Sequence, residues 1–125
     1  MPAVAAPIMG FAEEFQMPGQ TAIQPQRFAD ALNLRILELA KLAGVHPTTV
    51  VETPGNARLQ GYLQDAVRAL SAAVDVTQDR DRAIYWFRNT PIPEFGHRTA
   101  ETIVAEGKTN AMIAYLNAIS PGSSG

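Results

Sequence analysis

The 125-residue chain is 46% hydrophobic and 18% charged, ordinary globular composition for one domain or two very small ones. It has no cysteine, which excludes a disulfide framework, a thiol nucleophile and cysteine-ligated zinc. Ten Lys and Arg stand against twelve Asp and Glu, a net charge of −2, so no global basic field draws it to nucleic acid or anionic lipid.

No apolar run approaches the roughly 18 residues a membrane span needs. The opening stretch lacks a positive region and is broken by Pro7 and Gly10, so it makes a poor signal peptide, and a cytoplasmic protein with no membrane partner is expected. Pro2, Pro7, Gly10, Pro18, Gly19 and Pro25 punctuate residues 1–26. That density breaks any longer helix or strand and predicts a flexible arm with at most a helical turn at Phe11–Phe15. Phe11, Phe15 and Met17 are the residues such an arm would pack on a partner subunit.

From Phe28 the pattern turns helical. Phe28, Ala31 and Leu32, then Leu34, Ile36, Leu37, Leu39, Ala40 and Ala43, recur at helical spacing, and Gly44 ends the run as a C-cap. Pro47 suits the first turn of a short helix over Pro47–Thr53, which Pro54-Gly55 stops. Asn56 can N-cap a long helix whose stripe is Leu59, Leu63, Ala66, Val67, Leu70 and Val74. Gln60, Gln64, Asp65 and Arg68 lie off that stripe. Thr77 or Asp79 opens the next helix, through Ile84, Tyr85, Trp86 and Phe87. Residues 89–93 are extended, because the residue before each proline is pushed out of the helical region. Thr99 caps a short helix that Gly107 ends, and a last helix covers Asn110–Ile119 before Pro121-Gly122. No strand-like alternation is present. The expected fold is all-α, six or seven short helices.

Residues 36–55 fit helix-turn-helix spacing. Ala40 is the small residue at the crossing, Gly44 occupies the turn, and Leu39, Val45 and Val50 point into the core. In a DNA reader, Thr48, Thr49 and Glu52 would face the groove, with Lys41 and Arg58 as accessory cations. Residues 27–58 hold four cations, Arg27, Arg35, Lys41 and Arg58, against three acids, Asp30, Glu38 and Glu52. Few phosphates can be neutralised, and the second helix has no Arg, Lys, Asn or Gln to read a base edge. Operator DNA binding would therefore be weak per protomer and depend on a homodimer or higher oligomer. The plainer reading is a packing or dimerisation module.

The stretch from Ala83 to Gly122 carries Trp86-Phe87, Pro91, Pro93, Phe95-Gly96, Arg98-Thr99, Ile103, Gly107, and Ile119 with Gly122. This pattern resembles the toxin-binding domain of the Xre/MbcA/ParS-type antitoxins, with the helix-turn-helix upstream in the right order. Ala100 stands where that family usually has proline and Thr102 where it has an acid, so the second bond of a capping box is forgone. The tail ends in Ser-Ser-Gly rather than in apolar residues. With residues 1–26 as the arm and 123–125 as a tail, the resemblance implies 27–76 as the helix-turn-helix region with a connecting helix and 77–122 as the toxin-binding region. It also implies a RES-type, NAD-consuming toxin as partner, inhibited by occlusion.

The candidate toxin-binding residues are His97, Arg98, Glu101 and Tyr115. Arg98 lies in a Gly-His-Arg loop before a helix, where it would project, and Arg pairs well with carboxylates at interfaces. Trp86 and Phe87 are core residues first, and Arg80 and Arg82 belong to a solvated helix face. Two histidines 51 positions apart make no zinc site, and no HExxH, GxSxG or Walker motif occurs. Neither catalysis nor a cofactor is expected. The alternative to the antitoxin is a stand-alone DNA-binding regulator.

Overall fold

A computed structural model describes residues 11–120. Residues 1–10, with the first part of the expected arm, and residues 121–125, with the tail and Gly122, lie outside the described residues. The described residues form seven α-helices and two short 310 turns, with no strand among them. The fold is all-α.

The first 310 turn, Phe11–Phe15, is followed by α1 (Pro25–Leu32), α2 (Ile36–Ala43), α3 (Pro47–Glu52) and α4 (Ala57–Thr77). α5 (Arg80–Asn89), a second 310 turn (Pro93–Phe95), α6 (Ala100–Ala105) and α7 (Thr109–Ile119) complete the order. α4 spans 21 residues, about 32 Å at 1.5 Å per residue. It buries Leu59, Tyr62, Leu63, Ala66, Val67, Ala69, Leu70 and Ala73. The first 310 turn, α2, α5, α6 and α7 all pack on it. One apolar cluster runs from Phe15 to Leu116, so both expected regions, 27–76 and 77–122, contribute to the same core.

Local chemistry sets the helix ends. Asn56 Oδ1 accepts from the Leu59 amide at 3.0 Å, and Asp79 Oδ1 from the Arg82 amide at 3.0 Å. Thr99 Oγ1 accepts from the Thr102 amide at 3.2 Å, and the two threonine hydroxyls meet at 3.0 Å. That hydroxyl contact links the two side chains but is not the second bond of a capping box, which would run to the Thr99 amide. His46 caps α3, its Nδ1 lying 3.4 Å from the Thr48 amide. Gly44 closes α2 in the left-handed region, φ 72°, and the Val45 amide reaches back to the Ala40 carbonyl at 3.0 Å.

Two expectations are corrected. The helical run from Phe28 to Ala43 is two helices, because Asn33 adopts a left-handed conformation, φ 57°, that turns the chain. Asn tolerates that conformation better than most residues. The Glu38 carboxylate then caps α2 by accepting from the Arg35 amide at 2.9 Å. The arm is the second correction. From Phe11 onward the chain packs on its own core: Phe15 and Ile23 are each 1% exposed, while Met17 stays exposed. Phe11, Phe15, Phe28 and Tyr62 form a chain of edge-to-face contacts with centroids 5.1, 5.8 and 6.4 Å apart. Gln60 Oε1 accepts from the Ile23 amide at 2.9 Å, its Nε2 donates to the Ile23 and Pro54 carbonyls at 2.8 and 2.9 Å, and Gln64 donates to the Thr21 carbonyl at 3.0 Å. These two off-stripe glutamines are tethers.

Candidate functional site

The segment between α5 and α6 is a closed tip. The Ile92 amide donates to the Arg98 carbonyl at 3.0 Å, and the His97 and Phe95 amides both donate to the Ile92 carbonyl at 2.9 Å. Gly96 and His97 are both left-handed, φ 71° and 62°. Glycine adopts this conformation freely, whereas histidine does so at a cost. His97 is exposed. Two residues away, the Phe95 ring meets the half-buried Tyr115 ring edge-to-face at 5.7 Å. Desolvation and the nearby Glu94 carboxylate both push the Tyr115 hydroxyl above its ordinary pKa.

The structure separates the four candidate toxin-binding residues. His97 and Tyr115 stand at the tip. Arg98 does not project: its Nε donates to the Phe95 carbonyl at 3.0 Å and its Nη1 pairs with the Glu106 carboxylate. Glu101 turns inward and is 8% exposed. Its carboxylate accepts from Arg88 Nε at 2.9 Å, and Arg88 Nη1 donates to the Leu32 carbonyl at 2.9 Å. Arg88 thus ties α5 to α6 and to the end of α1. Burial pushes the Glu101 carboxyl above its usual range, outweighing the opposing pull of Arg88. Nearby, burial first and the Glu101 charge second push the Tyr62 phenol up, and its buried hydroxyl has no hydrogen-bond partner among the described residues.

The Arg88–Glu101 pair escaped the sequence reading because its members are 13 positions apart on different helices. Only local i,i+3 and i,i+4 pairs are visible in a sequence.

The four DNA-binding candidates also divide. Thr48 is exposed on α3 and its hydroxyl lies 3.0 Å from His46 Nδ1, while Thr49 is half-buried. Lys41 and Arg58 instead line a cleft of about 610 Å3 between α2 and α6, which also holds Glu101. Thr48 and Thr49 are not part of that lining. The described residues contain no cluster of three or more metal-ligating side chains, and no helix among them is long and apolar enough to cross a membrane.

Comparison with known proteins returns no matching family model, no matching curated protein and no matching solved structure. The antitoxin resemblance of residues 83–122 therefore rests on those residues themselves.

Proposed function

We propose that the chain is an antitoxin of a type II toxin–antitoxin pair, acting in the cytoplasm. It performs no chemistry; it binds a RES-type, NAD-consuming toxin and covers that toxin's active site. The observation that carries this reading is the closed tip at residues 92–98, with exposed His97 beside the Phe95–Tyr115 pair. A preorganised loop bearing aromatic and imidazole side chains loses little entropy on docking. The exposed Leu37 and Val51 on α2 and α3 suit a homodimer, which autorepression of the operon would require.

The test is co-expression with the toxin encoded beside this gene, followed by isolation of the complex and a growth-rescue assay. Arg98→Glu would confound folding with binding, since Arg98 already pairs with Glu106. His97→Gly is the cleaner probe, because glycine accepts φ 62° and removes only the side chain. It should weaken the complex by about tenfold. Unchanged affinity and rescue remove the tip from the interface, and no binding by the parent protein removes the antitoxin reading.

A stand-alone DNA-binding regulator is the second reading, favoured by the tight α2–Gly44–α3 turn and the exposed face of Thr48, Val51 and Glu52. A shift assay on the upstream region at about 50 and 200 mM salt tests DNA binding, since specific binding persists at the higher salt, and the toxin co-expression separates the two readings.

A further inference from the structure

The cleft between α2 and α6 has an unbalanced interior. Three carboxylates line it, and each has its own cation. Glu38 pairs with Arg35 at 3.5 Å, Glu101 with Arg88 at 2.9 Å, and Glu106 with Arg98 and with Lys108 at 3.8 Å. Lys41 and Arg58 line the same cleft, are exposed, and enter no ion pair or hydrogen bond among the described residues. Arg58 lies against the turn: a Cβ on Gly44 would stand 3.4 Å from its Nη1, in ordinary contact. Between the charges the wall is apolar, formed by Leu34, Leu42, Ala43 and Ala105.

We propose that this cleft binds a carboxylate carried on an apolar stem, with Lys41 and Arg58 as its charge partners. Its volume of about 610 Å3 falls in the range of small-ligand sites, roughly 300–1,000 Å3. With the three carboxylates paired, Lys41 and Arg58 remain as two charged donors, enough for the two oxygens of one carboxylate. A nucleic-acid backbone is disfavoured, because it would bring successive phosphates against Glu38 and Glu106. The carboxylate can belong to a small molecule or to an acidic side chain of a peptide. The site does not depend on the antitoxin reading.

Titration of the intact protein with octanoate, followed through the backbone amide signals of Gly44 and Ala105, tests the proposal. Saturable shifts are expected, with acetate and inorganic phosphate weaker for want of a stem and octylammonium weaker for its charge. Lys41→Gln and Arg58→Gln should each weaken octanoate by about tenfold, the size of one charge-assisted hydrogen bond, at unchanged melting temperature. A short leucine-rich peptide with one glutamate identifies the source: tighter binding than octanoate assigns a peptide, weaker binding a small molecule. Octylammonium or phosphate binding as tightly as octanoate overturns the proposal, as does octanoate binding that ignores both substitutions. Shifts caused by a DNA duplex but not by octanoate overturn it in favour of nucleic acid.

Discussion

At Glu101 two effects on one carboxyl oppose each other. Burial raises its pKa above the usual 4.5, and Arg88, at 2.9 Å, lowers it; burial is the larger. The native state therefore holds this proton more tightly than the unfolded chain. Stability from Glu101 is fully present below pH 4.5 and declines as pH rises through the raised native value. Glu38 has the opposite sign. The Arg35 amide holds its carboxylate below 4.5, so its contribution is present above that pH and lost as pH falls through the lowered value. The two windows adjoin without overlapping. Denaturant midpoints measured from pH 3 to 8 should show the decline above 4.5 in the parent protein and a flatter profile there in Glu101→Gln. An equally steep profile in the variant would assign the slope to another group. At pH 7, Glu101→Ala should cost about 2 kcal/mol, since it strands a guanidinium that is largely buried.

Glycine plays opposite parts in two neighbouring helices. Gly61 lies in the first turns of α4, exposed, with ordinary backbone angles and no atom within 4 Å of an added Cβ. Gly61→Ala should stabilise the protein by about 1 kcal/mol. Gly44 ends α2 at φ 72° with Arg58 above it, and Gly44→Ala should destabilise by about 1 kcal/mol. Thermal melts of both variants check the pair; a shift of the same sign in both would contradict it. These ends were legible in the sequence because a cap and its partner lie within four residues, as for Asn56 with Leu59 and Thr99 with Thr102. The break at Asn33 was not, since the apolar spacing of Phe28–Ala43 continues through it. What breaks the helix there is a backbone conformation, and spacing does not encode that. At the tip, the sequence puts His97 and Tyr115 forward as candidates, and the structure leaves them exposed and half-buried. The fates of Arg98 and Glu101 were not legible, because each depends on a partner on a different turn or helix.

The whole molecule is decided by how its N-terminal segment joins α4. Proline and glycine density makes residues 1–26 read as an arm, yet composition describes only local stiffness. Phe15 and Ile23 enter the core through contacts with residues far along the chain, and Gln60 satisfies both backbone groups of Ile23 across 37 positions. If that segment is part of the cooperative unit, damage to it must lower the stability of distant helices. Phe15→Ala should cost roughly 3–4 kcal/mol. Gln60→Ala should cost about 2 kcal/mol, because it leaves the Ile23 amide and carbonyl unpaired beneath the surface. Trp86, the only tryptophan, sits on α5, outside the segment and outside α4, and packs half-buried against the core. α5 touches the segment where Arg80 pairs with Glu14 at 2.8 Å and lies over the Phe11 ring; Trp86 is further along the same helix, so its fluorescence reports on the packing of α5. In a two-state fold, both variants move the Trp86 midpoint and the helical circular dichroism midpoint together, by the amounts above. A strap that detaches alone would leave the Trp86 transition at its parent position while the segment became protease-sensitive.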